Sequence, residues 1–280
     1  MDLLEIRKTI ITAVASDDML VDRLVLKGGN ALEIVHRIGN RASLDLDYSI
    51  EGDFDNPEIV GTRLLTALRD RFDAVAFEVF DYRFLPRPST ATPNETWGGY
   101  TAEFKLISRK DAQSVKYDLN HMRLRSHVVG NTTQKRVFTV EISKHEYCCG
   151  KMLTSIDSFD CFVYTPMMIV MEKLRALCQQ LPTYTLRKNP VPRPRDFYDI
   201  HSVVMSAQVI IGDGMELLQQ MFAAKNVPVK SLLEIADQRE FHRQGWPAVE
   251  NSVRERIDPF DTYFDFVVSE IGRLHPLRDP

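Results

Sequence analysis

The spacing of apolar residues predicts a helix at the start of the chain and a strand soon after it. The helix ends near residues 16–18, and a short apolar stretch at residues 24–26 follows. Residues 44–50 alternate apolar with polar, which is typical of a half-buried strand. The helical stripe consists of residues three or four positions apart: Leu3, Ile6, Ile10 and Val14.

The pattern changes near residue 155. Before it, strands are predicted near residues 75–84, 100–107 and 137–143, with a helix that begins at Pro57. After it, helical spacing dominates. The helices predicted there cover residues 166–180, 196–206, 215–224, 229–236 and 260–274. We therefore expect an α+β chain with an α/β domain over residues 1–155 and a helical domain over residues 156–280.

Composition excludes several classes of protein. Hydrophobic residues make up 44% and charged residues 26%, as in globular proteins, so disordered and collagen-like chains are excluded. The net charge of −4 gives no overall basic field for nucleic acid. The N-terminal helix is interrupted by charges, unlike a signal peptide, and no apolar run is long enough to span a membrane. Four cysteines without a CxxC pair suggest reduced thiols. We expect a cytoplasmic protein.

Two aspartates stand two positions apart in the predicted strand at residues 44–50. Asp45 and Asp47 project from the same face, because side chains alternate along a strand. Adjacent carboxylates repel each other unless a cation lies between them. Mg²⁺ prefers a few carboxylates together with substrate phosphates. The pair therefore indicates a magnesium site.

A glycine pair lies where the strand at residues 24–26 turns into a helix. At Gly28 and Gly29 the missing side chains would let phosphates approach the backbone. Asn30 could add a hydrogen bond to a phosphate. A glycine turn for a triphosphate and two aspartates for a metal are complementary halves of one phosphoryl-transfer site.

One acidic residue is embedded in a run that favours a strand. Glu141 stands between Val140 and Ile142, where a carboxylate is costly without a partner. If its strand lies beside Asp45 and Asp47, Glu141 could bind the same ion or activate the attacking hydroxyl. Two metal ions would then stabilise the attacking and leaving oxygens.

A lysine lies on the apolar side of the helix predicted at residues 166–180. Lys173 stands between Val170 and Leu177. Either its ammonium reaches the nucleotide phosphates, or it extends to solvent or forms a salt bridge. In the helix predicted at residues 196–206, Asp199 lies one turn after Asp196 and could equally be a charge on the helix surface.

Four motifs together resemble the AbiEii/AbiGii nucleotidyltransferase toxins of the polymerase-β-like superfamily. They are Leu-Lys-Gly-Gly-Asn-Ala-Leu at residues 26–32, Arg-Ala-Ser-Leu-Asp-Leu-Asp at 41–47, Glu-Lys-Leu-Arg-Ala-Leu at 172–177 and Arg-Asp-Phe-Tyr-Asp-Ile at 195–200. The resemblance implies a mixed sheet with flanking helices, followed by a helical part that completes the site. Asn30 replaces the usual Thr or Ser, and Glu141 replaces an Asp.

The resemblance also implies roles for individual residues. Asp45, Asp47 and Glu141 would bind metal, and Lys173 and Asp196 would join them in catalysis, with Asp196 orienting Lys173. The nucleotide would be bound by Lys27, Gly28, Gly29, Asn30, Ser43 and Lys173.

The function implied is transfer of an NMP from an NTP to an acceptor hydroxyl, with Mg²⁺ (two ions) and release of pyrophosphate. The acceptor would be RNA, at the 3′ end of tRNA, in a growth-inhibiting toxin of a toxin–antitoxin or phage-defence system with a cognate antitoxin. Nucleotidylation of a protein remains an alternative, as does a non-catalytic nucleotide-binding module acting through a partner. The sequence leaves the NTP, the acceptor and the oligomeric state open.

Two local stretches concentrate positive charge and are candidates for binding RNA phosphates. One is a proline-rich loop, and the other covers residues 116–136. Both are also compatible with solvated surfaces. The candidate residues are Arg187, Lys188, Arg193 and Arg195 in the loop, with Arg123 and Arg125 in the second stretch.

Overall fold

The computed structural model describes residues 1–39, 43, 45–89, 97–129, 135–253 and 256–274. Arg41, Ala42 and Leu44 of the second motif lie outside the described residues. The chain divides into two compact units. The first comprises Met1–Asn30, Ser43–Cys148 and Met152–Val163. The second comprises Ala31–Ala42, Cys149–Lys151 and Tyr164–Pro280.

The first unit combines helices with all the strands that the structure describes. Its helices are α1 (Leu3–Ala15), α2 (Asp18–Arg23), α3 (Gly28–Asn30), α4 (Pro57–Asp73), α5 (Arg109–Ser114) and α6 (Leu119–Arg125). Its strands are β1 (Val25–Lys27), β2 (Leu46–Ser49), β3 (Phe77–Arg87), β4 (Gly99–Ser108), β5 (Phe138–Ser143), β6 (Met152–Ile156) and β7 (Phe159–Val163).

Over the described residues these seven strands form one mixed sheet in the order β3-β4-β5-β2-β1-β7-β6. The β2–β5 and β1–β7 pairs are parallel, and the other neighbours are antiparallel. The mixed sheet with flanking helices was predicted from the sequence and is confirmed. It places β5 beside β2 although almost 90 residues separate them in the chain.

Local chemistry explains how α1 and α4 form. Asp2 caps α1 in a reciprocal arrangement with Glu5, and Asn56 caps α4 just before Pro57. The predicted stripe of α1 is buried at Ile6 and Ile10. The two helices pack against each other, and their apolar faces close the core of the first unit.

The second unit contains helices and no strand among its described residues. Ala31–His36 form a π-helix, and Ile211–Gly214 and Val229–Gln238 form 3₁₀ turns. The α-helices are α7 (Pro166–Cys178), α8 (Pro194–Ala207), α9 (Met215–Ala223), α10 (Arg239–Arg243), α11 (Trp246–Glu250) and α12 (Phe260–Gly272). Phe197 of α8 packs on Phe260 and Phe264 of α12, with ring centroids 5.5 and 5.1 Å apart.

The sequence did not predict β6, β7, α5 or α6. Strands therefore continue to Val163, within the part expected to be helical. The apolar run of β7 is short, and periodicity alone does not distinguish a short buried strand from a helix. The helix predicted at residues 229–236 is a 3₁₀ segment instead. Among the described residues, no helix is long and apolar enough to cross a membrane.

Candidate active site

Four residues form a row across neighbouring strands of the sheet. Lys27 of β1 is the Cα partner of Asp47 on β2, Asp47 is the partner of Glu141 on β5, and Glu141 is the partner of Thr101 on β4. Paired residues in adjacent strands point to the same face. Asp45 directly precedes β2, and Lys135 connects it to this face: the Lys135 ammonium lies 3.1 Å from Asp45 Oδ1 and 3.5 Å from Oγ1 of Thr139, which points to the same side of β5 as Glu141. The fold thus brings the three predicted metal ligands onto one surface.

Two of these carboxylates are accessible, and each contacts a basic side chain. Lys135 Nζ lies 3.1 Å from Asp45 Oδ1, and Arg87 donates from a guanidinium nitrogen 3.1 Å from Glu141 Oε1. The side chains of Asp45 and Glu141 are 45% and 42% exposed. Neither basic residue was predicted from the sequence as a residue of this site. Their contacts with the acids depend on how β3 and β5 are arranged in the sheet, which the local sequence does not show.

The donor set of this surface suits a hard divalent cation, since carboxylate oxygens are the ligands that Mg²⁺ prefers. Within the described ranges, no three carboxylate, imidazole or thiol groups already converge on one metal position. The fit is therefore one of donor chemistry and shared face: Asp45, Asp47 and Glu141 would hold the ion.

Gly28 has a structural role that its motif did not reveal. Its φ is +67°, which disfavours residues with a side chain. A Cβ on Gly28 would lie 2.6 Å from Asp47 Oδ2. The missing side chain is therefore required by the approach of Asp47 to the backbone of the turn. It also leaves Gly28 compatible with the predicted phosphate contact.

Asn30 is fully buried and connects α1 to the backbone of Asp45. Its Nδ2 donates to the Asp45 carbonyl at 2.7 Å, and its Oδ1 accepts from Arg7 at 3.0 Å. Arg7 also donates to the Ser43 carbonyl at 3.1 Å. These partners differ from the phosphate predicted for Asn30, and they make it a positioning residue for Asp45. The Ser43 hydroxyl lies 3.4 Å from the same Asp45 carbonyl.

Arg7 was not predicted as a site residue, although its position in the sequence carries a signal. Arg7 lies four positions after Leu3 and three before Ile10, so it falls within the apolar stripe of α1. It is 2% exposed. A charge in an apolar stripe indicates a buried polar contact, which here is the connection to Asn30 and Ser43.

Lys27 is also buried. Its Nζ lies 3.3 Å from Ser143 Oγ and 3.8 Å from Glu146 Oε1, and the side chains of Lys27 and Glu146 are 7% and 3% exposed. The ammonium predicted to contact the nucleotide is thus held by an acid that the sequence did not indicate. Glu146 compensates the charge of Lys27 and fixes the ammonium at the Asp47 end of the row.

The second unit holds a buried cluster of charges around Lys173. Lys173 Nζ lies 3.0 Å from Asp196 Oδ1 and 2.7 Å from Asp199 Oδ2. These side chains are 9%, 4% and 5% exposed. The two aspartates lie one turn apart on α8 and both face α7. Lys173 is therefore an ion-paired residue rather than one extending to solvent, and Asp199 is buried rather than on the helix surface.

Arg193 and His242 complete this cluster. Burial raises the pKa of Asp196, but the nearby charges of Arg193 and Lys173 outweigh it and hold that pKa well below its usual range. The backbone N–H of Arg193 donates to His242 Nδ1 at 3.0 Å. Burial lowers the pKa of His242 to about 4, against an opposing contribution from Asp196. His242 was not identified from the sequence.

The candidate RNA-binding residues have different surroundings. In the first unit, Arg123 donates to both oxygens of Asp81 at 2.7 and 2.8 Å, and Arg125 donates to Ser114 Oγ at 2.8 Å. In the second unit, Arg193 pairs with Asp196, and Arg187 donates to the Asn189 carbonyl at 3.1 Å. Lys188 and Arg195 are exposed.

Comparison with protein-family profiles matches residues 10–267 to one family. Its description reads "Nucleotidyl transferase AbiEii toxin, Type IV TA system". The match covers both units and all the motifs discussed above. The comparison with curated proteins gives no match.

Three solved structures are similar in outline, each at 14% identity. A candidate nucleotidyltransferase from H. pylori matches with a TM-score of 0.49, covering 99% of this chain and 96% of that one. JHP933 from Helicobacter pylori gives 0.47, with 97% and 90% covered. An antigenic nucleotidyltransferase-like protein from Paracoccidioides brasiliensis gives 0.38, with 89% and 94% covered. At these TM-scores, the assignment rests on the family match.

Proposed function

The chain belongs to the AbiEii nucleotidyl transferase toxin family, and from that premise we propose that it transfers an NMP from an NTP to an RNA hydroxyl. The acceptor is the 3′ end of tRNA, the reaction takes place in the cytoplasm, and the modified RNA inhibits growth until a cognate antitoxin counteracts it. The chain is a nucleotidyltransferase by family; the acceptor, the metal and the cellular role are the proposal.

The observation that carries the proposal is the register between β2 and β5. It aligns Asp47 with Glu141, and Asp45 directly precedes the same strand. Asp45, Asp47 and Glu141 hold Mg²⁺ in this proposal. When bound, Mg²⁺ would neutralise phosphate charge and stabilise the attacking and leaving oxygens.

The chain's own groups perform the remaining work. The acceptor oxygen forms a bond to the α-phosphorus, the bond from that phosphorus to the bridging oxygen breaks, and pyrophosphate leaves. The Glu141 carboxylate accepts the hydroxyl proton. In this proposal Gly28 and Gly29 contact the phosphates, and Lys27 does so by exchanging its contacts with Ser143 and Glu146, while Asn30 and Ser43 position Asp45. Lys173 and Asp196, which the family motifs assign to the same reaction, form an ion pair within the second unit.

The proposal is tested by incubating the protein with Mg²⁺, each labelled NTP and total tRNA. Wild type should label tRNA with one NTP, and Asp47→Ala should reduce labelling at least a hundredfold. Asp55→Ala removes an exposed carboxylate elsewhere in the first unit and should label as wild type. No labelled product with wild type, or equal labelling by Asp47→Ala, would contradict the proposal.

Wild type and Asp47→Ala also distinguish the two alternative functions. Label that survives RNase and is lost to protease would indicate a protein acceptor, because the same chemistry serves both acceptors. Growth inhibition that persists undiminished in Asp47→Ala would indicate a binding module that acts through a partner.

A further inference from the structure

We propose that Lys135 and Arg87 are exchangeable partners of the catalytic carboxylates. They pair with Asp45 and Glu141, release these acids to a divalent cation, and then bind the triphosphate of the nucleotide. The inference rests on the proposed function, since it assigns two further residues to the same site.

The geometry supports competition for the same oxygens. Lys135 Nζ is 3.1 Å from Asp45 Oδ1, and the Arg87 guanidinium is 3.1 Å from Glu141 Oε1. Lys135 Nζ is also 3.5 Å from Thr139 Oγ1, two positions before Glu141, which places the ammonium over the carboxylate face. A cation bound by these acids would need the oxygens that the two basic side chains contact.

Because both ion pairs are exposed, breaking them costs little free energy. The side chains of Lys135 and Asp45 are 43% and 45% exposed, and those of Arg87 and Glu141 are 59% and 42% exposed. Exposed pairs change an equilibrium by no more than about fivefold. Divalent-cation binding to these acids therefore has only a small competing interaction to overcome.

After release, both basic side chains remain beside the site. Arg87 ends β3, which is separated from the Glu141 strand β5 by β4 alone, and Lys135 lies three residues before β5. A guanidinium binds phosphate oxygens in pairs, and an ammonium acts as a mobile point charge. Two cations beside a metal-bound carboxylate row suit the polyanionic tail of an NTP better than a neutral ligand.

The test measures two ligands on the same variants. Mn²⁺ alone is titrated by calorimetry into wild type, Lys135→Met, Arg87→Met and the double variant. Inorganic tripolyphosphate is then titrated at saturating Mn²⁺. The matched control is Arg63→Met, which breaks a 2.9 Å pair between Arg63 of α4 and Asp17, the N-cap residue of α2, in the same unit.

We expect the affinities for the two ligands to change in opposite directions. Each single variant binds Mn²⁺ about two- to fivefold more tightly, because a competitor is removed, and the double variant more tightly still. Each binds tripolyphosphate at least about tenfold more weakly, the loss of one charge-assisted contact. Arg63→Met changes neither. Lys135→Arg and Arg87→Lys keep the charge and should restore tripolyphosphate binding.

Unchanged or weaker Mn²⁺ binding in both methionine variants would overturn the inference, as would unchanged tripolyphosphate binding. So would wild type that binds no Mn²⁺. The result is independent of the transfer assay: the expected binding pattern in a protein that labels no acceptor would support the inference and contradict the proposed function.

Discussion

Two acidic residues of the first unit and the two aspartates around Lys173 in the second unit are held in opposite ways. In the first unit, Asp45 and Glu141 are nearly half exposed, and each contacts one exposed cation. In the second, Asp196 and Asp199 are almost completely buried around Lys173. The same chemical pairing, an acid with a base, therefore occurs at two very different degrees of solvation.

This difference determines what each set can do. Exposed pairs contribute little and exchange partners readily, which suits acids that must accept a metal. Buried pairs exchange only at the cost of leaving a charge uncompensated, which suits a lysine whose position and charge must be fixed. Burial thus separates ligands that change partners from charges that are held.

The largest effect tests the buried side of this comparison. Lys173→Met leaves Asp196 and Asp199 facing each other without the ammonium, and should lower the free energy of unfolding by about 3–5 kcal/mol. Asp45→Asn, which removes one partner of an exposed pair, should cost less than about 1 kcal/mol. Urea denaturation of both variants gives the two values. Equal losses would show that exposure does not separate the two sets.

A second test uses the pH dependence of stability. Because burial lowers the pKa of His242 to about 4, the folded protein binds its proton only below that pH, whereas the unfolded chain binds it near 6.5. Stability due to His242 is thus present above pH 6.5 and lost as pH falls to 4, roughly 3 kcal/mol in all.

The matched variant is His242→Asn, whose side-chain oxygen can still accept from the Arg193 N–H. Denaturation of wild type and variant at pH 7, 5.5 and 4 isolates this residue from other histidines. A difference between the two proteins that stays constant with pH would contradict a buried neutral imidazole.

A third test asks whether a buried charge in the first unit also fixes geometry. Arg7→Met removes the donor to Asn30 Oδ1 and the Ser43 carbonyl, and should cost about 1–3 kcal/mol. It should also weaken Mn²⁺ binding, because Asn30 holds the Asp45 backbone. Arg63→Met should cost less than about 1 kcal/mol. Mn²⁺ affinity unchanged in Arg7→Met would leave Arg7 with a purely structural role.

The smallest expected effect distinguishes two glycines of similar conformation. Gly28 and Gly52 have φ of +67° and +63°, but only Gly28 has Asp47 against its missing Cβ, whereas nothing lies within 4 Å at Gly52. Both alanine variants should lose about 1–2 kcal/mol from the left-handed conformation. Gly28→Ala should lose more than Gly52→Ala, because its Cβ meets Asp47, and it should also lose Mn²⁺ binding. Identical behaviour would exclude the Asp47 contact as the reason for the glycine.

Much of the fold followed from local pattern. The stripe of α1, the strand that carries Asp47 and the strand that carries Glu141 each show a clear period in the sequence. The strands β6 and β7 did not, because short apolar runs fit either a strand or a helix. The sheet order, which places β5 beside β2, depends on long-range pairing that no local pattern encodes.

Residues of the candidate site could be predicted where a charged side chain stands in an apolar strand or on an apolar helix face. Glu141 in an apolar strand and Lys173 on an apolar helix face are such cases, and Arg7 was another that went unused. The local sequence gives no such signal for Lys135, Arg87 and Glu146, whose positions are equally typical of ordinary surface or loop residues. Their contacts exist only through the tertiary structure, so the sequence could not indicate them.

The intact mass of tRNA after incubation with the protein, Mg²⁺ and the four NTPs tests the proposed reaction most directly. With wild type we expect a gain equal to one or more NMP units, whose mass also identifies the base, and with Asp47→Ala no gain. An unchanged tRNA mass with wild type, or the same gain with Asp47→Ala, would contradict the assignment of Asp45, Asp47 and Glu141 as the catalytic centre for a reaction on RNA.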